Sequence, residues 1–257
     1  MSDSLHAVLL AAGEGSRLRP LTDHVPKPLL PIDGRPVIDT LLEQLDRVGV
    51  DSWTLITGYL GDVLQQYLRA RTDTGRVRWV EQAERLGSAH ALQCALAQGL
   101  PHIDAVVVAT DTVWRDEDVA HVVNAFRTER PMVTMGVRRW PLDQLPHRSS
   151  VGVDADGRVH AIIEKPASTE PTAPGSGALS GSPLYVFRAD FWEYIAVLQA
   201  NSRQMYELAD ALQAAIDDGH EVRAIEVFDT RDITRPNDLL RFNFPYLAEL
   251  IPDLPTP

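Results

Sequence analysis

Apolar residues 7–11 (Ala-Val-Leu-Leu-Ala) form a run long enough for one buried strand and too short for a helix. Prolines at 20, 26, 28 and 31 exclude a regular helix as far as Leu30 and predict that Lys27 sits on a stiff, extended segment. Asp33-Gly34 reads as a turn. Residues 36–48 then carry Val37, Ile38, Leu41, Leu42, Leu45 and Val48 near helical spacing, and Gly49 ends that helix. A strand over 53–57, a helix over 62–69, a strand over 77–80 and a helix ending near Gly99 follow. Residues 105–109 are apolar throughout, as a strand in a sheet covered on both faces would be. Strand and helix alternate up to this point, which predicts an α/β fold with a doubly wound sheet.

Past Asp111 the rhythm changes. A helix over 119–126 precedes a strand over 132–137. Residues 151–154 and 159–164 flank Asp156-Gly157, a hairpin signal. Residues 167–181 are rich in Ser, Thr, Pro and Gly and read as a mobile surface loop. A strand over 184–187, helices over 191–198 and 206–217, a strand over 222–227 and a closing helix over 237–243 complete the pattern. With the hairpin, the sheet is expected to be mixed and mainly parallel. Neither a repeat nor a linker divides the chain, so one domain is expected over residues 1–257.

Composition adds exclusions. The 257 residues are 44% hydrophobic and 23% charged, ordinary for a globular protein, and the net charge is −12. That balance argues against a general nucleic-acid or membrane-surface binder. An anionic ligand would need a local basic pocket, which Arg17, Lys27 and Lys165 can supply. The single cysteine, Cys94, rules out an intrachain disulfide and reads as a small buried hydrophobe. No run of eighteen apolar residues predicts a membrane span, and the polar residues 1–6 lack a signal-peptide profile. A cytoplasmic location is the expectation.

Candidate chemistry clusters after the first strand. In Gly13-Glu14-Gly15-Ser16-Arg17 two glycines let backbone N–H groups turn toward an anion, and Arg17 can fork onto phosphate oxygens. Two common phosphate patterns fail: Leu18 replaces the third glycine of GxGxxG, and no GK[ST] follows. Asp111 ends the apolar strand, where a doubly wound sheet binds its ligands. A carboxylate there suits either Mg2+ or a cap on the next segment. Asp232, before Pro236, admits the same two readings.

The whole string GxGSRLxPLTxxxPKPLxPxxGxPxI over residues 13–38 resembles the signature of the sugar-1-phosphate nucleotidylyltransferases. So do Gln82 to Ala91 (Q-x-x-x-x-G-S-x-H-A), Glu164-Lys165-Pro166, Tyr206-Glu207-Leu208-Ala209-Asp210-Ala211 and the segment from Asp232 to Leu239, in which Arg235 replaces the usual Thr. The resemblance implies a Rossmann-like fold of the nucleotide-diphospho-sugar transferase type, with nucleotide binding over about residues 1–112 and sugar-phosphate binding over about 113–245. It implies joining of an NTP to a sugar 1-phosphate with release of pyrophosphate. Arg17, Lys27 and Lys165 would handle the phosphates. Leu10, Ala12, Gly13, Gly15, Ser16, Gln82, Gly87, Ser88 and Thr110 would bind the nucleotide. Glu164, Lys165, Ser149 and Ser182 would bind the sugar phosphate, and Asp111 with Asp232 would hold Mg2+. The glutamine favours UTP or dTTP, because its amide pairs with a pyrimidine edge.

The resemblance thins on the sugar side. Arg148-Ser149-Ser150 stands for a usual Tyr-Gly pair, Gly181-Ser182-Pro183 for an Asn- or Thr-containing segment with glycine, and Thr110 for the usual Gly. Two alternatives follow: a cytidylyltransferase acting on a phospho-alcohol, and a nucleotide-sugar-binding regulator without catalysis. Nucleotide and sugar phosphate are the partners implied, with neither nucleic acid nor membrane. Phe242, Phe244 and Tyr246 suit either a homo-oligomer contact or a core.

Overall fold

In the computed structural model, residues 5–71, 74–140, 149–164 and 179–244 are described. In chain order the first half contains β1 (Leu5–Ala11), β2 (Pro31–Ile32), β3 (Arg35–Pro36), α1 (Val37–Arg47), β4 (Val50–Thr57), α2 (Gly61–Arg69), β5 (Val77–Glu81), α3 (Ser88–Ala97) and β6 (Ala105–Ala109). The second contains β7 (Thr112–Val113), α4 (Asp116–Glu129), β8 (Val133–Arg139), β9 (Ser149–Val153), β10 (Val159–Glu164), β11 (Leu179–Phe187), α5 (Trp192–Val197), α6 (Leu208–Asp217), β12 (Val222–Glu226), β13 (Arg231–Asp232) and α7 (Pro236–Asn243).

Seven strands make the central sheet in the order β12-β8-β11-β6-β1-β4-β5. Only β11 runs antiparallel to its neighbours in it; the other adjacent pairs are parallel. The sheet is mixed and mainly parallel, as expected, but its antiparallel member is β11; the β9·β10 hairpin forms a separate two-stranded sheet.

Side-chain alternation builds two cores on the two faces. Along β1, Ala7, Leu9 and Ala11 face the layer of α1 and α4, while Val8 faces that of α3, α5 and α6. Along β6, Val106 and Val108 go to the first layer and Ala105 and Val107 to the second. This is why residues 105–109 read as continuously apolar: both faces are covered. On α1, Ile38, Leu41, Leu42 and Leu45 fall on one stripe and bury against the sheet. A third, smaller cluster of Leu18, Leu30, Ile32, Val37, Val113 and Ile233 lies beyond the strand ends.

The structure corrects three expectations. Lys27 is not on an extended segment. It opens a single 3-10 turn, Lys27–Leu29, closed by Leu29 N–H donating to Pro26 O at 2.9 Å. Proline fixes φ without fixing ψ, and the extended residues here are those on either side of the turn, Pro26 and Leu30. The loop expected over 167–181 does not reach that far: Leu179 to Gly181 already pair with Arg139 to Val137. The register then shifts between Gly181 and Tyr185, around Pro183, and pairing with β6 begins at Leu184. Proline cannot donate to a ladder, so the pattern hid the first half of this strand. Residues 165–178 lie outside those described. Finally, the two-residue ladders β2·β3 and β7·β13 had no periodicity to announce them. Asp33 and Gly34, both at positive φ (52° and 73°), turn the first of these.

Cys94 is half-buried against the α3 layer, and burial pushes its thiol up. No helix among the described residues is long and apolar enough to cross a membrane.

Candidate active site

The ends of β1 and β6 lie side by side, with Leu10 opposite Ala109. The chain leaving each one lines a shared cavity of about 250 Å³. Gly13, Gly15, Ser16 and Arg17 come from the first exit, Thr110 and Asp111 from the second, and Lys27 and Thr234 close the ring. Buried Thr110 ties the two strand ends together through Oγ1, which donates to Leu10 O at 3.0 Å.

The glycines earn separate explanations. Gly15 is left-handed (φ 65°), and Thr22 Oγ1 donates to its carbonyl at 2.9 Å, so this turn is locked. At Gly13 no atom lies within 4 Å of where a Cβ would stand. The loop therefore offers backbone rather than side chain toward the cavity. The two arginines that follow also differ. Arg19 is held by Glu14 and, at 3.5 Å, by Asp23. Exposed Arg17 lines the cavity and has no ion-pair partner among the described residues.

Asp111 is the hinge of the site. Lys27 Nζ donates to its Oδ2 at 2.5 Å, and Thr112 Oγ1 to its Oδ1 at 3.2 Å. Its backbone carbonyl accepts from Ile233 N–H at 2.9 Å. In the β7·β13 ladder Thr112 pairs with Asp232, so Asp111, the residue before β7, is brought next to the strand that carries the other carboxylate singled out from the sequence. Buried Ile233 and Val113 anchor this ladder in the third core cluster. At the start of α7 the carboxylate of Asp238 accepts from Thr234 and Arg235 N–H at 2.8 and 2.7 Å.

A second cavity of about 140 Å³ shares Asp111 and Thr234 with the first. Asp232, Ser182 and Thr230 line it, together with Arg138 and Trp140, which motif reading missed. Arg138 Nη2 lies 3.2 Å from Asp232 Oδ2, Nη1 donates to Thr230 O at 3.0 Å, and the guanidinium stacks 3.8 Å from the Trp140 ring centre. Burial pulls this guanidinium down from its ordinary value and the Asp232 charge opposes that. An arginine ending an otherwise apolar strand was the available signal.

Gln82, Gly87 and Ser88 line neither cavity. Gln82 is buried, its Nε2 donating to Gly87 O and pairing with His90 Nδ1, both at 3.1 Å. Its carbonyl stands beside Ala12 across Gly58, where a Cβ would lie 3.0 Å from Gln82 O and 3.1 Å from Ala12 O. Gly87 has a second reason to be glycine. At φ 119° a Cβ there would sit 2.3 Å from Tyr206 O, because Tyr206 N–H donates to Leu86 O and its carbonyl accepts from Ala89 N–H. Ser88 Oγ accepts from Leu208 N–H at 3.0 Å, at the start of α6.

Of the residues expected to bind a sugar phosphate, Ser149 Oγ accepts from Gly181 N–H at 3.1 Å, and buried Ser182 Oγ accepts from the Trp114 indole at 3.0 Å. Glu164 ends β10, paired with Ser149, and Lys165 lies outside the described residues. Phe242 packs partly against the third cluster, Phe244 is 44% exposed, and Tyr246 is outside the described residues.

Among the described residues no cluster of three or more His, Cys, Asp or Glu exists. Two carboxylates alone fit Mg2+, which binds through one or two such groups and completes its shell with water and substrate phosphates.

The chain resembles known proteins along nearly its full length. It is 31% identical over 242 residues to the low-salt glycan biosynthesis nucleotidyltransferase Agl11 of Haloferax volcanii, covering 93% of this chain and 65% of that protein. It is 28% identical over 237 residues to the UTP–glucose-1-phosphate uridylyltransferase AglF of the same organism, covering 91% and 93%. The bifunctional protein GlmU of Methanococcus aeolicus is 26% identical over 251 residues, covering 97% of this chain and 56% of that protein. A UDP-glucose pyrophosphorylase solved with UDP-glucose superposes with a TM-score of 0.80 at 17% identity, covering 95% of this chain and 99% of that one. The fold is therefore that of the nucleotide-diphospho-sugar transferase type. The model of the nucleotidyl transferase family matches residues 6–249, and the chain belongs to that family.

Proposed function

We propose that the chain transfers a nucleotidyl group from UTP or dTTP to a sugar 1-phosphate, giving an NDP-sugar and pyrophosphate. One observation carries this reading: Asp111 is the common wall of two cavities, one lined by a glycine loop with Arg17 and Lys27, the other by Asp232 and Arg138. A reaction between two phosphates needs two anion sites meeting at one point.

In this reading an oxygen of the acceptor phosphate attacks the α-phosphorus of the NTP in line, and the bond to the pyrophosphate oxygen breaks. The Gly13–Gly15 backbone and Arg17 hold the β and γ phosphates. Lys27 neutralises charge at the α-phosphate and leaving group, and Lys165 with Glu164 orients the acceptor. Asp111 and Asp232 would hold Mg2+, which supplies charge neutralisation between the two substrates. The nucleotide part is about residues 1–112 and the acceptor part about 113–245. The likeness to AglF, whose name specifies UTP and glucose 1-phosphate, supports a uridine base. We infer a cytoplasmic setting, where these substrates occur.

A second reading, CTP with a compact phospho-alcohol, is favoured by the small acceptor cavity and by the engagement of the Ser182 hydroxyl with Trp114. The test is Mg2+-dependent pyrophosphate release from UTP, dTTP, CTP, GTP and ATP against sugar 1-phosphates and phospho-alcohols, with Asp111→Asn as control. Release with UTP or dTTP and a sugar phosphate, lost in the variant, supports the first reading. Release with CTP and a phospho-alcohol replaces it. Tight nucleotide binding without release from any pair leaves a binding protein.

A further inference from the structure

We propose that Arg138 receives the acceptor's phosphate, and that it does so in exchange with a divalent cation at Asp232. The inference rests on the nucleotidyl-transfer reading above and names a residue that no motif assigned.

The two carboxylates of the site each carry their own cation: Lys27 on Asp111 at 2.5 Å, and Arg138 on Asp232 at 3.2 Å. Lys27 faces the cavity of the glycine loop, and Arg138 the second cavity. A divalent ion between Asp111 and Asp232 competes with both side chains for the same oxygens. Each displaced cation then needs another anion, and the anion nearest Arg138 is the group bound in the second cavity. A guanidinium has five N–H donors in a fixed fork that matches phosphate. Two of its nitrogens reach Asp232 and Thr230, which leaves donors for a third partner. The Trp140 ring, 3.8 Å from the guanidinium, holds its plane when the Asp232 contact loosens. The next residue cannot take this part, because Arg139 points to Glu226 at 2.8 Å.

The exchange couples two events: filling of the metal site frees the acceptor-binding cation. The experiment is titration of wild type, Arg138→Met and Arg138→Lys with Mn2+ alone, followed by electron paramagnetic resonance, alongside acceptor KM and kcat with the productive pair. Arg138→Met is expected to bind Mn2+ about three- to tenfold tighter, as loss of one competing charge contact predicts. Acceptor KM should rise about tenfold or more while UTP affinity holds, and Arg138→Lys should recover part of it. Equal or weaker Mn2+ binding by a folded Arg138→Met protein, or no Mn2+ binding by either protein, overturns the proposal. If Arg138→Met does not fold, Arg138→Lys and Arg138→Gln replace it in the same titration. Mn2+ exchange without turnover by wild type would instead count against the nucleotidyl-transfer reading alone.

Discussion

Lys27 Nζ lies 2.5 Å from Asp111 Oδ2, across 84 positions of chain, and this contact joins the proline-rich segment to the end of the central strand β6. In the proposed reaction both partners stand where charge develops on the transferring phosphate. Lys27→Met and Asp111→Asn are each expected to lower kcat about a hundred- to a thousandfold, the usual cost of removing one preorganised electrostatic contact. Pyrophosphate release at saturating substrate measures this, with thermal unfolding as the control for folding.

Gly87 is a backbone junction, set against the Tyr206 main chain. Gly87→Ala puts a methyl group 2.3 Å from Tyr206 O at a left-handed φ. The expected cost is at least about 2 kcal/mol, or roughly 5 °C in Tm for a chain of this size. Calorimetry tests the stability, and isothermal titration with UTP tests whether the base side is lost with it.

Ser182 separates packing from acceptor binding. Ser182→Ala leaves the Trp114 indole N–H without its acceptor, at a cost of about 1–3 kcal/mol. Tm should fall by several degrees while acceptor KM is unchanged. A raised KM with unchanged Tm would return the hydroxyl to the sugar pocket.

His6 predicts an acid limit. Burial, helped by Arg78, lowers its pKa from 6.5 to about 4, and its ring bonds Ser52 and Thr54 on β4 at 2.9 and 2.8 Å. The unfolded chain then binds the extra proton first as pH falls. The contribution of neutral His6 is complete above pH 6.5 and is lost progressively down to about pH 4. Urea midpoints measured from pH 4 to pH 7 should show this slope, and His6→Gln should flatten it.

The two-layer sheet was legible because its strands and helices keep clear periods. Asp111 was legible too, as the carboxylate that ends an apolar strand. What pattern could not show is pairing across distance. Two residues make no period, so β7·β13 was invisible, and with it the reason that Asp232 meets Asp111. Arg138 belongs to no motif and acquires its place only through Asp232, Thr230 and Trp140. Gly87 was recognised as special, but its partner is a carbonyl far along the chain. Lys27 was found, with its local turn misread, because flanking prolines restrict φ and leave ψ to the fold.

The β7·β13 ladder has a consequence for synthesis. A nascent chain that has emerged through β7 possesses the glycine loop, Lys27 and Asp111, and can begin to fold its first parallel strands. Asp232 and the Ile233 N–H that clasps Asp111 are translated only after β8 to β12. The proposed metal-binding pair thus comes into being only once β13 has been made, and a chain that stops between β7 and β13 carries half of it.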